Sequence, residues 1–290
     1  MVRNLKEKFM EIIFLAAACV SIIAVALICI FLFQSGLPAM KEIGLADFLF
    51  GTEWRPGNNL FGIFPMIVGS IYVTAGAIII GVPIGLFMAV YLAMYCPAKI
   101  YKVLKPAVDL LAGIPSIVYG FFGMVVIVPA VRYIFNEIID LNGKGDSILT
   151  ASIVLGIMIL PTIIGGAEPA IRAVPKMYYE GALALGADHE RSTFFVVFPE
   201  AKSGVLASVI LGIGRAVGET MAVVMIAGNQ PRMPQSLLKG VRTMTANIVL
   251  EMGYATDLHR ESLIATGVVL FVFILIINLS FSALKRKGKN

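Results

Sequence analysis

Five long stretches of this chain carry no Asp, Glu, Lys or Arg: residues 12–40, 56–98, 110–131, 147–167 and 262–284. A helix needs about 20 apolar residues to cross the hydrocarbon core of a bilayer, so each stretch holds at least one crossing. With 59% hydrophobic and 14% charged residues among 290, the chain lacks the polar residues a soluble domain of this length needs for its surface. An integral membrane protein made of helices follows. In the longest stretch Pro56, Gly57, Asn58, Asn59, Gly62 and Pro65 mark the first part as exposed or interfacial. Spans are therefore expected at 9–33, 69–95, 110–131, 147–167 and 262–284.

A sixth, fifth in chain order, is interrupted by charge. Uncharged residues 203–214 and 220–231 flank Arg215-Ala-Val-Gly-Glu219. Joined as one helix over 204–227, they place Arg215 near the membrane midplane, with Glu219 on the same face four residues later. A charge at that depth costs about 2.5–3.5 kcal/mol on insertion scales, and such residues face protein or water. The pair is either functional or an ion pair that pins neighbouring helices. Gly212, Gly214 and Gly218 leave room beside it, and Gly214-xxx-Gly218 fits a helix-packing motif.

With an even number of spans both termini share a side. That side would hold 14 of the Lys and Arg residues and the opposite side 8, which puts both termini in the cytoplasm by the positive-inside rule. Arg232, Lys239, Arg242 and Arg260 in the last outer loop run against this bias. The basic residues that end the chain abut a span and anchor it; they are not a nucleic-acid patch. Cys19, Cys29 and Cys96 have neither metal-ligand spacing nor a disulfide framework. Ala16-Ala17-Ala18-Cys19 resembles a lipoprotein cleavage site only superficially, because the apolar run continues through Phe33. Asn278-Leu-Ser280 is a sequon inside the last span. Trp54 is expected to anchor at the membrane interface, and Asn142-Gly143-Lys144-Gly145 to form a turn. Pro83, Pro115, Pro129 and Pro161 should kink or break their spans, which suits a transporter better than an anchor.

The longest inner segment, residues 168–203, reads as a compact helix–turn–helix. Pro175 starts a short helix, the stretch from 177 to 185 forms it, and Gly186 ends it as a C-cap glycine. A second amphipathic piece stops before Pro199. Gly181, Ala182, Ala184 and Gly186 would let a partner approach the backbone closely; a mere connection between spans is the alternative.

Glu180-Gly-Ala, Gly186 six residues later and Val196-Val-Phe-Pro199 resemble the Glu-Ala-Ala loop of ABC importer permeases. The spacing matches throughout; Gly181, Val196 and Phe198 are the departures. In that family the loop is the coupling helix seated in a cleft of a cytoplasmic ATPase. Residues 111–123, Ile159-Leu-Pro-Thr162, Arg172-Ala-Val-Pro175 and Gly214-Arg-Ala-Val-Gly-Glu-Thr-Met-Ala222 resemble the PstC-like subfamily of phosphate permeases. Ile226-Ala-Gly-Asn229, Trp54-Arg-Pro and Phe61-Gly-Ile-Phe-Pro65 fit it better than its PstA-like sister.

The resemblance implies an all-α integral membrane protein with six transmembrane helices and the MetI-like fold of type I ABC importer permeases. Residues 1–60 would be an N-terminal span with an extracytoplasmic segment. Residues 61–284 would be the permease core, with its coupling loop at 168–203, and 285–290 a basic cytoplasmic tail. It implies the prokaryotic inner membrane, phosphate as cargo, and four partner chains besides: a PstA-like permease, two PstB-like ATP-binding subunits and an extracytoplasmic PstS-like phosphate-binding protein. No cofactor or metal is expected here and no enzymatic activity, since the chain has no P-loop; ATP-Mg would bind the partner. Glu180, Gly181, Ala182, Gly186 and Pro199 would serve coupling. Arg215, Glu219 and Thr220 would line the pathway, with Arg215 a bidentate donor to a passing phosphate, Glu219 its restraint and Thr220 an added hydroxyl. The rivals are a sulfate or molybdate permease, an ion-driven transporter using Glu219 as a proton relay, and an intramembrane hydrolase. The last lacks a catalytic set, His189 and His259 both being expected in loops.

Overall fold

The computed structural model describes residues 2–138 and 144–287, with side chains for 7–136 and 144–280. The turn expected at Asn142 and Gly143, and the side chains of the basic tail, lie outside the described residues. The chain opens with one long helix, α1 (Val2–Ile43), which continues through Pro38. A short helix α2 (Leu45–Phe50) and a two-stranded hairpin, β1 (Trp54–Arg55) with β2 (Leu60–Phe61), lead into α3 (Phe64–Val90). Then come α4 (Ala98–Gly113), α5 (Ser116–Phe122), α6 (Val128–Tyr133) and the central helix α7 (Ile148–Arg172). The segment that follows holds α8 (Lys176–Ala184), α9 (His189–Ser192) and α10 (Phe198–Glu200). The chain returns through α11 (Lys202–Gly218), α12 (Met221–Ile226) and α13 (Met244–Glu251) to α14 (Asp257–Lys287).

Among the described residues, Glu7–Ile43, Phe64–Tyr95, Ser116–Asn136, Ile148–Arg172 and Asp257–Ser280 are long and apolar enough to cross a membrane. A sixth crossing is made if the bent pair His189–Glu200 and Lys202–Gly218, inclined at 72°, counts as one. Helix α7 is the axis of the bundle, with α3 and α11 against it and α1 beside α14. Two lipid-facing helices gain no hydrophobic drive from meeting, so close backbone approach has to hold them. Gly81 shows it: a Cβ there would stand 2.7 Å from the Gly156 carbonyl oxygen of α7. Ile159, Ile163, Leu155 and Met158 fill the rest of this core.

Three prolines sit just beyond a wide π-type turn: Tyr91–Tyr95 before Pro97, Gly123–Ile127 before Pro129, and Thr193–Val197 before Pro199. In each case the residue preceding the proline donates its N–H five residues back, to Tyr91, Gly123 or Thr193. A proline ring clashes with the carbonyl four residues earlier in an α-helix; the wider turn relieves that clash. Pro199 therefore does not end its helical segment, as the sequence had suggested, but lies inside it. Pro83 and Pro161 lie within unbroken helices. Pro115, by contrast, breaks its span, with Ile114 pushed to ψ 126, as expected before proline. The third span accordingly starts at Ser116, not at 110. Residues expected as its basic inner loop form the amphipathic helix α4.

The segment 34–61 is built, not loose. Trp54 is 5% exposed, packed against Phe61 and His259, and its indole N–H donates to Glu251 Oε2 at 2.8 Å. It is a core residue of the cap formed with α13 and the start of α14, not the interfacial anchor expected. Glu251 also accepts from Arg242 Nη1 at 2.5 Å and meets His259 Nε2 at 2.9 Å, so hairpin, α13 and α14 converge on one carboxylate. His259 thus lies in α14 and His189 opens α9; neither is in a loop.

Candidate functional site

The fifth span is broken where the two charges lie. Helix α11 ends at Gly218; Glu219 is extended (φ −68, ψ 134) and Thr220 follows before α12 begins. The Glu219 carboxylate turns back to accept the N–H groups of Thr220 at 3.0 Å and Ala222 at 3.3 Å. It satisfies donors that a helix start leaves unpaired and sits where the helix dipole favours a negative charge. Thr245 donates to the Glu219 backbone carbonyl at 3.0 Å, and the Thr220 hydroxyl to that of Gly218 at 3.2 Å. Arg215 and Glu219 therefore do not share a helix face, and no ion pair joins them. The four-residue spacing misleads because the helix stops between them.

Arg215 turns instead to α7, where its Nη1 donates to Thr162 Oγ1 at 3.2 Å. It is half-buried, and among the described residues no carboxylate lies within ion-pair distance of it. Gly212 packs on Ile163, whereas a Cβ added to Gly214 or Gly218 would meet nothing within 4 Å. The expected Gly-xxx-Gly contact is not made within this chain; that face is open.

At the other end of α7, α8 stands out from the bundle. Pro175 occupies the position before its first turn. Gly186, at φ +87, closes it: its N–H bonds to Leu183 O at 2.9 Å and that of Ala187 to Ala182 O at 3.1 Å, the paired pattern of a glycine-terminated helix. Glu180, Gly181 and Gly186 are exposed and Ala182 is partly so. Met177 and Leu185 are 72% and 91% exposed, an apolar surface that this chain does not cover. His189, behind the helix, lies 4.4 Å ring to ring from Tyr95 and meets the Tyr179 hydroxyl through Nδ1. These contacts fix α8 to the C-terminal end of the second span.

Glu168, whose side chain is 2% exposed, closes α7 on this side. It accepts from Tyr101 at 2.8 Å and Arg172 at 2.7 Å, and pairs with Lys105 at 3.2 Å. Arg172 also reaches the Leu92 carbonyl at 2.6 Å and lies over the Tyr101 ring. Burial alone would lower the pKa of Lys105, but the carboxylates of Asp109 and Glu168 outweigh it and raise the value.

Residues 81–289 match the family described as binding-protein-dependent transport system inner membrane component. That is well over half of the chain. The chain belongs to this family. Among relatives of this permease, the probable ABC transporter permease protein YqgH of Bacillus subtilis is 36% identical, over 98% of this chain and 93% of its own. The phosphate transport system permease protein PstC of Mesorhizobium japonicum is 35% identical, over 90% and 84%. Its fold is that of a chain in inward-facing structures of the MetNI methionine ABC transporter, with a TM-score of 0.62 and 19% identity over 81% of this chain and 99% of that one. The permease is thus a multi-pass inner-membrane protein with the MetI-like fold, and its family works with ATPase and substrate-binding partners.

Within the permease, Arg215, Glu219 and Thr220 gather at the α11–α12 break, while Glu180, Gly181, Ala182 and Gly186 share α8 and its end. Pro199 stands apart, beyond a π turn. Sequence reasoning missed the Glu168 cluster, although Glu168 and Arg172 at four-residue spacing on a helix end were readable as a pair. It also missed the Arg242–Glu251–His259 cluster, whose partners come from separate elements.

Proposed function

We propose that this permease is one transmembrane half of an ATP-driven importer of inorganic phosphate. The observation that carries the reading is Arg215, a cation near a broken helix inside the membrane, held by a neutral hydroxyl on a helix whose Gly214 and Gly218 border open space. Relatives named as phosphate permeases give the cargo. A guanidinium offers two parallel donors to a phosphate oxygen pair. Glu219 leaves that charge free because its carboxylate caps α12; it keeps the break open, a revision of the restraint expected from the sequence. Thr220 lies at the same break and adds a hydroxyl to the pathway. The contact with Thr162 is weak enough for a passing anion to displace, so the site conducts and does not trap.

The exposed apolar residues of α8 seat on one of two PstB-like subunits, which bind ATP-Mg and hydrolyse it; Glu180, Gly181, Ala182, Gly186 and Pro199 belong to this coupling element. This chain performs no reaction and holds no cofactor. A PstA-like permease completes the pathway, and a PstS-like protein delivers phosphate from outside. Both termini are cytoplasmic, on the side of α8. Residues 1–60 form the added span and outer segment, 61–284 the permease core and 285–290 the tail.

The test is uptake of radiolabelled orthophosphate by proteoliposomes holding the assembled complex. Arg215→Gln should lower the maximal rate about 10- to 100-fold, the size of a lost charge-assisted hydrogen bond, and Glu219→Gln less. Near-normal uptake by both variants at normal membrane levels would overturn the reading. Uptake competed by sulfate or molybdate instead of phosphate would move the cargo, and uptake indifferent to vanadate would exclude an ATPase.

A further inference from the structure

The basic residues that run against the positive-inside bias differ in their surroundings. Arg242, 15% exposed, pairs with Glu251. Arg232 and Lys239, joined by Lys144 from the loop before α7, line a cavity of about 260 Å³ together with Gln230 and Gln235. Its size falls below the roughly 300–1,000 Å³ of sites for drug-sized ligands and suits a small ion.

The cavity rests on a fixed frame. The loop after α12 is closed at its base by a bridge between Gly228 and Val241, with Val241 N–H bonded to Ala227 O at 2.7 Å. Its carbonyls cap α7: Lys239 O accepts from Ile148 N–H at 3.2 Å and Leu237 O from Leu149 N–H at 2.9 Å. Arg132 Nε donates to Lys144 O at 2.9 Å and holds that residue's backbone. Lys239 Nζ is directed by Gln235 Oε1 at 2.9 Å. Among the described residues, no carboxylate lies within ion-pair distance of Lys144, Arg232 or Lys239. Asp146, against Gly228, does not line the cavity. A cleft walled by one sign of charge raises the local concentration of an oppositely charged solute. Between the Glu219–Thr220 break and the cavity the chain runs through α12, six residues or about 9 Å of helix.

We propose that Lys144, Arg232 and Lys239, with Gln230 and Gln235, form an extracytoplasmic receiving site for a tetrahedral oxyanion, one short helix outward of Arg215. The proposal rests on the importer reading for its ligand and its orientation. The cations draw in the anion as it leaves the binding protein, and the amides take its remaining oxygens. Because the cations are solvated, the ion is held loosely and passes inward.

The test uses the assembled complex in proteoliposomes, with loaded phosphate-binding protein outside and ATP inside. The variant Lys144→Gln/Arg232→Gln/Lys239→Gln should lower maximal orthophosphate uptake about tenfold, the product of several exposed charges. The concentration of binding protein giving half-maximal rate should not change, and Lys144→Arg/Lys239→Arg should keep the wild-type rate. A raised half-maximal concentration with an unchanged maximum would overturn the proposal and make the patch a docking surface for the binding protein. Wild-type maximal rates in the triple variant would overturn it alone. A wild-type complex that transports no orthophosphate would overturn the importer reading with it.

Discussion

The hydroxyl of Tyr101 donates to the carboxylate of Glu168 at 2.8 Å, joining the amphipathic helix α4 to the C-terminal end of α7. Lys105 from the same helix and Arg172 from the same turn complete the contact. Whatever moves α8, four residues beyond Arg172, is therefore tied to α4, and through Pro115 to the third span.

Replacing Glu168 by Gln keeps the shape but leaves two cations facing a neutral amide. Breaking one side of a fully buried pair costs about 3–5 kcal/mol; Lys105 and Arg172 retain partial access to water, so about 1–3 kcal/mol is expected, read as a lower thermal midpoint in detergent. The pH dependence has a definite sign. The Lys105 pKa is raised above the ordinary 10.5, so its contribution is complete at neutral pH and is lost only as pH rises past the folded-state value. A wild-type midpoint that fell between pH 7 and 9 through loss of this pair, as shown by a difference from Lys105→Met, would contradict it.

Trp54→Phe tests the cap around Glu251. Phenylalanine preserves most of the apolar contact with Phe61 but leaves Glu251 Oε2 with His259 alone. A lost hydrogen bond to a charged, buried acceptor costs about 1.5–3 kcal/mol. The thermal midpoint should drop by several degrees while membrane insertion is unchanged. An unaltered midpoint would mean that the indole N–H contributes nothing.

Two glycines, one inside α8 and one that closes it, should respond in opposite ways. Gly186→Ala forces a side chain into φ +87, a penalty of about 1–2 kcal/mol, and should loosen the end of α8 and lower uptake. Gly181→Ala, in a helix with nothing within 4 Å, should strengthen α8 by about 0.5–1 kcal/mol and leave uptake intact. Equal effects of the two on transport would refute a backbone origin.

Most spans were legible because lipid imposes one rule on every residue it touches, and uncharged runs report it without tertiary knowledge. Helix α8 was legible for a different reason: Pro175 and Gly186 act within one turn of their own positions. The break after Gly218 was not, because two charges four residues apart read equally well as one face of a continuous helix, and the stabilising groups are the Glu219 side chain on the start of α12 and Thr245 from a later helix. Trp54 was misread for the same reason. Its partner Glu251 is 197 residues away, and an indole facing lipid headgroups and one buried on a carboxylate have the same local sequence.

The wide turns ahead of Pro97, Pro129 and Pro199 carry a lasting consequence for the chain. Each holds one residue more than a regular helix would, so each resets which side of the following segment faces inward. Losing a single residue from 193–197 would rotate everything beyond it by about 100°, turning the face of α11 that carries Arg215 away from Thr162 even though every remaining side chain was kept. Insertions and deletions there should be tolerated far less than substitutions.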